Sequence, residues 1–275
     1  MIETTLNNIV LEKKRQGLDN ALIKNILKEA IQCYVLDFIY NSPYGKNLIF
    51  CGGSCLRFCF ELNRLSEDLD FDIEWQKEID KEEFAGDILS YFQKTLNFSK
   101  IEAEISGREK KIYLKFPILY ELGLAERPES EKLYVKVEIQ KNISKYYQTE
   151  FTPLAKFNLN FIIKNYTFET LMASKIIAVM RRTFKKGKGD KITFKGRDYY
   201  DLLWFFQQKI KPDPKRIQDV LGISSERELK KMLWEKAKKI NLSYLQEDLT
   251  NLFEDSRFIK TYCQNYKLLA EKHLK

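Results

Sequence analysis

Apolar positions along the chain change from strand-like to purely helical spacing about two thirds of the way through. In residues 21–40 apolar side chains recur every three or four positions, which predicts a helix that packs on a sheet. A second amphipathic helix is predicted at residues 81–96. Runs with alternating or β-branched and aromatic residues predict strands at 47–50, 69–73, 101–105, 111–116 and 133–139.

From residue 167 onward the pattern is helical. Lys211-Pro-Asp-Pro214 predicts a turn among these helices. Helices are predicted at 169–184, 197–208, 225–240, 244–253 and 256–272. The chain is therefore expected to be an α+β protein, with a mixed sheet and flanking helices in domain 1–165 and a helical domain in 166–275.

Charge adds a partner class to this picture. The 275 residues include 47 basic and 39 acidic side chains, and the net charge of +8 favours a polyanionic partner such as nucleic acid. The alternative is that a lysine-rich composition reflects only the source genome. The five cysteines lack the close pairs of a zinc site, so we expect reduced thiols in a reducing compartment. Without a signal-peptide pattern or a membrane-length apolar run, the protein is expected to be cytoplasmic.

The segment with the clearest chemical potential is Cys51-Gly-Gly-Ser-Cys-Leu-Arg57. Gly52 and Gly53 allow a sharp turn and a close approach of backbone to a ligand. Ser54 is expected to cap a helix that runs through Leu56, Phe60 and Leu62, and free N–H groups at such a helix start bind anions. A Gly-Gly pair alone is more often a simple turn.

Two carboxylates follow shortly after this segment. In Leu69-Asp-Phe-Asp-Ile73, strand alternation places Asp70 and Asp72 on one face. Like charges held this close favour a cation between them, and Mg²⁺ is commonly held by one or two carboxylates together with substrate phosphates. An isolated Asp-x-Asp can also be a solvated strand face. The order of both elements within one unit favours a nucleotide and metal site.

The first motif, Gly52-Gly-Ser-x-Leu-Arg57 followed by Arg64-x-Ser-x-Asp-Leu-Asp-Phe-Asp72, resembles that of the AbiEii/AbiGii toxin family. This family belongs to the polymerase β-like nucleotidyltransferase superfamily. Two later segments resemble further family motifs. They are Ala173-Ser-Lys-Ile-Ile-Ala178 with Arg181 or Arg182, and Arg197-Asp-Tyr-Tyr-Asp-Leu202.

The resemblance implies roles for residues that local patterns leave open. Lys175 would neutralise the β- and γ-phosphates, although a lysine on this helix can also extend to solvent. Asp198 would orient Lys175 or the nucleophile, although it can also be a helix cap. Glu138 would be the third carboxylate, as a metal ligand and proton acceptor, although Lys136 and Glu138 can also be a solvated pair on an edge strand. The residues expected to bind the nucleotide are Gly52, Gly53, Ser54, Arg57 and Lys175; those expected to act in catalysis are Asp70, Asp72, Glu138, Lys175 and Asp198.

A basic segment lies between the two later motifs. Eight of the seventeen residues in 181–197 are basic, and its glycines and aromatic residues suit a loop that grips a nucleic-acid backbone. A solvated loop without a partner is the alternative. The residues predicted to bind RNA are Arg181, Arg182, Lys185, Lys186, Lys188, Lys191 and Lys195.

These observations predict a toxin of a toxin–antitoxin or phage-defence system. It would use Mg²⁺ or Mn²⁺ to transfer a nucleoside monophosphate from an NTP to RNA, and the resemblance implies the tRNA 3′ end and a cognate antitoxin protein as partners. Two alternatives stay open. One is transfer to a small molecule or a protein side chain, and the other is a non-catalytic module that binds RNA or a partner.

Overall fold

The computed structural model describes residues 2–127, 131–182 and 194–275. The chain divides into two compact units: Met1–Asn142 with Thr149–Asn165, and Ile143–Gln148 with Tyr166–Lys275. Charge is shared unequally between them in the sequence. The first unit has 22 basic and 25 acidic side chains, and the second has 25 basic and 14 acidic ones. The positive charge of the chain therefore belongs to the second unit.

The first unit is a mixed sheet with helices. Its helices are α1 (Ile2–Arg15), α2 (Asn20–Tyr40), α3 (Gly52–Cys59) and α4 (Lys81–Ser90). Its strands are β1 (Leu48–Cys51), β2 (Asp68–Ile73), β3 (Glu102–Ser106), β4 (Lys111–Pro117), β5 (Lys132–Lys141), β6 (Thr149–Lys156) and β7 (Leu159–Tyr166). The strand order is β3-β4-β5-β2-β1-β7-β6, with parallel pairing of β2 with β5 and of β1 with β7. The predicted mixed sheet with flanking helices is confirmed.

Strand β2 shows why alternation predicted this sheet. Leu69, Phe71 and Ile73 are buried, while the aspartates between them are only half-buried. The Phe71 ring stacks on Phe50 of β1, with 5.3 Å between ring centroids. One face of β2 is therefore fixed in the core, and the carboxylates are left on the other face.

The structure adds a hairpin that the sequence pattern did not predict. Strands β6 and β7 are joined at Phe157 and Asn158, both of which have positive φ angles, 52° and 62°. Two such residues are typical of the tight turns that match strand twist. The predicted helix at 81–96 is also divided, because α4 ends at Ser90 and a π-helical segment follows at Tyr91–Thr95.

The second unit is helical. Its helices are α5 (Phe168–Arg181), α6 (Gly196–Gln207), α7 (Pro214–Leu221), α8 (Glu226–Ala237), α9 (Leu242–Leu249) and α10 (Ser256–Leu274). The turn predicted at Lys211-Pro-Asp-Pro214 is shorter than expected, because helix α7 begins at Pro214. The Asp213 carboxylate accepts hydrogen bonds from the backbone N–H groups of Lys215 and Arg216, so Asp213-Pro214 begins a helix. Within the part of the chain that the structure describes, no helix has the length and apolar character needed to cross a bilayer.

Candidate active site

The turn after β1 leads directly into helix α3. Gly52 has a φ of 74°, a left-handed conformation that favours glycine, and the helix begins at that residue. Ser54 lies inside the first turn and Cys51 is the cap residue, so the prediction that Ser54 caps the helix is wrong. The helix also ends at Cys59, before Phe60 and Leu62. Its first N–H groups are those of Gly52, Gly53 and Ser54, and free N–H groups at a helix start can bind an anion.

The Ser54 hydroxyl is an unusual buried group. The residue is fully buried, and its Oγ has no hydrogen-bond partner among the described residues. Buried hydroxyl groups normally have a partner, because an unsatisfied one costs about 1–3 kcal/mol. A polar group in this state at the start of α3 fits a site that is completed by a ligand.

Both glycines are closely packed against polar side chains. A Cβ atom on Gly52 would lie 2.2 Å from Asp70 Oδ2, and one on Gly53 would lie 2.5 Å from Arg64 Nη2. Arg64 is buried, and its Nη1 donates a hydrogen bond of 2.9 Å to the Leu65 carbonyl oxygen. At the start of α3, the Asp70 carboxylate therefore packs against Gly52, and the Arg64 guanidinium packs against Gly53.

The strand register orders the aspartates relative to this turn. Strand β2 is antiparallel to β1, with Asp70 opposite Cys51 and Asp72 opposite Ile49. Asp70 is thus beside the end of β1, and Asp72 is two residues further from the glycines. Asp68 shares their face and lies on the glycine side of Asp70. Sequence reasoning missed Asp68, although the same alternation extends to it.

Strand β5 places Glu138 and Lys136 beside these aspartates. In the parallel pairing of β2 with β5, Asp70 is opposite Glu138 and Asp68 is opposite Lys136. The Lys136 ammonium lies 2.6 Å from Glu138 Oε1 and 2.8 Å from Asp68 Oδ2, and Lys111 Nζ lies 3.4 Å from Glu138 Oε1. Because β5 lies between β4 and β2, the alternative of an edge strand is wrong.

These lysines set the charge state of Glu138. Burial raises the pKa of the carboxyl, but Lys136 and Lys111 outweigh burial and hold it below the usual value. Burial lowers the pKa of Lys136, but its hydrogen bonds to Asp68 and Glu138 outweigh burial. The pKa of Lys136 is therefore raised above its usual value. A carboxylate with a lowered pKa is a weak proton acceptor. The local chemistry of Glu138 thus suits an electrostatic role better than a general base.

Arg57 lies on α3 but has partners away from the glycine turn. Its Nε donates a 2.8 Å hydrogen bond to Glu29 Oε2, and its Nη1 donates to the Leu62 carbonyl oxygen at 3.3 Å. Glu29 is buried and also pairs with Lys156. These contacts tie α3 to α2 and β6. The nucleotide-binding role of Arg57 stays a prediction.

In the second unit, Lys175 is held between two carboxylates. Its Nζ lies 3.0 Å from Asp198 Oδ1 and 2.8 Å from Asp201 Oδ2, and all three side chains are largely buried. Burial raises the pKa of Asp198, but Lys175 and Arg182 outweigh it and hold that pKa below its usual value. The lysine on α5 and the aspartates on α6 therefore form one cluster of ion pairs.

Only the ends of the predicted RNA-binding loop belong to the described part of the chain. Arg182 pairs with Asp198, and Arg181 donates a hydrogen bond to the Val220 carbonyl oxygen. Lys195 is the residue just before α6. The other predicted RNA-binding residues, Lys185, Lys186, Lys188 and Lys191, lie outside the described residues.

The donor set in the first unit fits a Mg²⁺ ion held in part by substrate. Asp68, Asp70 and Asp72 supply oxygen atoms on one strand face, which is the chemistry that Mg²⁺ prefers, and phosphates commonly complete its coordination. Within residues 2–127, 131–182 and 194–275, no group of three or more His, Cys, Asp or Glu side chains is arranged to hold a metal ion, so a Mg²⁺ ion here would be held by at most two of these carboxylates and would need substrate oxygens. The five cysteines are all free thiols.

Comparisons with known proteins agree with this architecture. A protein from Helicobacter pylori, JHP933, is 15% identical, with 90% of each chain covered and a TM-score of 0.51. An H. pylori protein assigned as a nucleotidyltransferase is 16% identical, with 90% of this chain and 93% of that chain covered and a TM-score of 0.50. At these identities the likeness is one of fold. No curated protein matches the chain.

A family model provides the more specific result. The model of the nucleotidyl transferase AbiEii toxin, from a type IV toxin–antitoxin system, matches residues 35–261. This range includes the glycine turn, the β2 carboxylates and the Lys175 cluster. The chain belongs to the AbiEii family of nucleotidyl transferase toxins.

Proposed function

We propose that this protein transfers a nucleoside monophosphate from an NTP to a hydroxyl group of RNA, with the tRNA 3′ end as acceptor and Mg²⁺ as cofactor. The observation that carries the proposal is the packing of the Asp70 carboxylate against Gly52 at the start of α3. A carboxylate that can hold a metal and a helix start that can bind phosphate are thereby adjacent.

Each group at this site has a proposed task. The backbone N–H groups around Gly52, Gly53 and Ser54 would bind the triphosphate, and the Ser54 hydroxyl would gain a partner there. Asp70 would hold Mg²⁺ with Asp72, the partner predicted from the sequence, and Asp68 is the alternative partner on the same face. Bound Mg²⁺ would supply charge neutralisation on the phosphates. The acceptor hydroxyl oxygen would attack the α-phosphorus with loss of its proton to water, the bond to the β-phosphate would break, and pyrophosphate would leave.

The Lys175 cluster is proposed to serve the same reaction. The family resemblance assigns Lys175 to the β- and γ-phosphates, and the contacts of its ammonium with Asp198 and Asp201 restrict its position. Because Asp198 has a lowered pKa, it stays ionised at neutral pH and orients the lysine rather than exchanging a proton. Glu138 is proposed to act electrostatically beside Asp70.

Charge supports RNA as the acceptor. The second unit has 25 basic and 14 acidic side chains, and the predicted RNA-binding residues all belong to it. The tRNA 3′ end as acceptor comes from the motif resemblance alone, whereas membership of a toxin–antitoxin family supports a cognate antitoxin as partner. The first unit, with a small excess of acidic residues, offers no comparable attraction for a polyanion.

The test is a transfer assay with purified protein, each α-labelled NTP, Mg²⁺ and total RNA. Label should appear on RNA of tRNA size and be lost in Asp70→Asn. Asp72→Asn and Asp68→Asn identify the second carboxylate, since the one that holds the metal should show the larger loss. Glu78→Gln is the matched control, because Glu78 is an exposed carboxylate in the same unit that pairs only at the surface with Lys141.

Other outcomes would replace the proposal. Label on the protein itself or on a small molecule would show that the acceptor is not RNA. Absence of transfer with every nucleotide, together with retained RNA binding, would favour the non-catalytic alternative.

A further inference from the structure

We infer that the groove between α6 and α10 binds an unpaired nucleobase of the RNA acceptor, an inference that rests on the proposed RNA acceptor. The groove encloses about 260 Å³ within the second unit. Its walls combine aromatic rings with uncharged polar side chains. The residues used in this argument are Tyr200, Trp204 and Gln207 from α6, and Phe258, Thr261 and Asn265 from α10.

The aromatic walls are already held in place. Phe258 is 38% exposed, and its ring lies nearly parallel to that of Tyr262, with an interplanar angle of 28° and 5.9 Å between centroids. Tyr200 packs edge-on against Phe253 and is buried. On the other wall, the Trp204 ring contacts Phe168 at 5.4 Å. Rings fixed in this way can stack on a base without a large loss of side-chain entropy.

The polar side chains give the groove hydrogen-bond donors and acceptors that an apolar pocket lacks. Gln207, Thr261 and Asn265 are exposed at the groove. Asn265 Nδ2 donates a 2.9 Å hydrogen bond to the Thr261 carbonyl oxygen, which fixes the amide while its oxygen and second N–H can still bond. Amides and hydroxyls match the mixed donors and acceptors on the edge of an unpaired base.

The charge of the second unit favours nucleic acid over protein as the occupant. Helix α10 has four exposed basic residues, Arg257, Lys260, Lys267 and Lys272, and one acidic residue, Glu271. The second unit as a whole has eleven more basic than acidic side chains. A base linked to phosphates satisfies both features, because the ring stacks in the groove while the phosphates meet basic side chains of the unit, such as Lys272, which follows Leu269 by three residues on the groove face of α10. An apolar side chain of a protein partner would pack on the aromatic rings, but it would bury the amide groups without forming hydrogen bonds to them.

The position on α6 places the groove close to the Lys175 cluster. Tyr200, Trp204 and Gln207 are spaced three or four residues apart and share one helix face, and Asp201, a partner of Lys175, is three residues before Trp204 at the edge of that face. A base in the groove would therefore belong to a nucleotide bound near this cluster, and such a contact would select the acceptor RNA.

The experiment compares two fluorescein-labelled single-stranded RNAs of equal length, one with bases and one abasic, by fluorescence anisotropy without NTP or metal. Wild-type protein should bind the RNA with bases more tightly. Phe258→Ala should weaken that binding about 5- to 150-fold and leave abasic binding unchanged, since stacking of one base is typically worth about 1–3 kcal/mol. The slope of log affinity against log salt should not change, because no phosphate contact is removed.

Phe151→Ala is the matched control, because Phe151 is 69% exposed and lies in the first unit. It should bind both RNAs like the wild type. If Phe258→Ala does not fold, Gln207→Glu tests the same groove from an exposed position, where the added charge should weaken binding of the RNA with bases more than that of the abasic one.

Four results would overturn the inference. Equal weakening on both RNAs would assign Phe258 to structure or phosphate binding. Unchanged RNA affinity with lost binding of the cognate antitoxin would assign the groove to a protein partner. Failure of wild-type protein to bind either RNA would remove the RNA acceptor itself, whereas base-independent binding by the wild type would remove only the nucleobase site.

Discussion

The carboxylate of Asp70 lies where a side chain on Gly52 would have to be. A Cβ atom on Gly52 would be 2.2 Å from Asp70 Oδ2 and 2.9 Å from Asp70 Cβ. Since the φ of Gly52 is also 74°, two independent constraints require glycine at this position. The phosphate site and the metal site proposed for this unit thus depend on one close contact.

Gly52→Ala should therefore affect function more than stability alone can explain. The matched control is Gly107→Ala, because Gly107 has a φ of 78° and nothing within 4 Å of an added Cβ. Gly107→Ala should cost about 1–2 kcal/mol from backbone strain and leave transfer activity intact. Gly52→Ala should cost more and abolish NTP binding, because Asp70 must move. Urea unfolding and nucleotide titration measure both effects, and equal behaviour of the two variants would contradict this explanation.

Lys175→Met should destabilise the second unit. The substitution leaves Asp198 and Asp201 close together and largely buried without the ammonium between them, which typically costs about 3–5 kcal/mol. Adding Asp201→Asn should recover part of the stability but none of the activity. Lys211→Met is the control, since its pair with Glu226 is exposed and should be worth less than about 1 kcal/mol. Recovery of activity in the double variant would show that Lys175 is only structural.

Arg216→Met should be far more damaging than Arg257→Met. Arg216 is 1% exposed, and its guanidinium donates to Ser174 Oγ at 3.0 Å and to the Tyr146 carbonyl oxygen at 3.2 Å. Loss of these buried bonds should cost about 3 kcal/mol. Arg257 is exposed and pairs with Asp255 at the surface, so its loss should cost under about 1 kcal/mol. Thermal unfolding of both variants would decide, and similar melting temperatures would contradict the prediction.

Glu29 should contribute an acid-sensitive part of the stability. Burial raises its pKa, but Arg57 and Lys156 outweigh burial and hold the pKa below its usual value. A carboxyl with a lowered folded-state pKa stabilises the protein above the unfolded-state pKa of about 4, and the contribution is lost as the pH falls through the folded-state value. Glu29→Gln should be less stable than wild type at neutral pH, and its free energy of unfolding should fall less between about pH 5 and pH 3. Parallel pH profiles would contradict this assignment.

Local periodicity predicted those elements in which every second side chain is apolar and buried in the core. It found β2, β4 and β5 because their apolar residues alternate strictly. It missed the β6–β7 hairpin, where Pro153 interrupts the strand pattern; proline is tolerated there because β6 is an edge strand. It missed α7 because Pro214 was interpreted as part of a turn, although proline after an aspartate cap is also a helix start.

The residues of the candidate site were likewise predicted only in part. Gly52 and Asp70 were chosen from short local motifs, and the two residues are adjacent in the structure. The contacts of Lys136 with Asp68 and Glu138 depend on the register between β2 and β5, which no local pattern contains. Parallel strands distant in sequence have to be aligned by the whole sheet, so these contacts could not be predicted from local patterns.

The division of the chain into two units has a consequence for biosynthesis. Strand β1 pairs with β7 at Phe50 and Asn165, so the sheet that holds the glycine turn needs a strand made more than a hundred residues later. Segment Ile143–Gln148, which belongs to the other unit, leaves the ribosome before that strand. Contacts this distant in sequence form slowly and late. A nascent or truncated chain that ends before residue 165 lacks the β7 residue that pairs with β1, so we expect the toxin to be inactive until most of it has been translated.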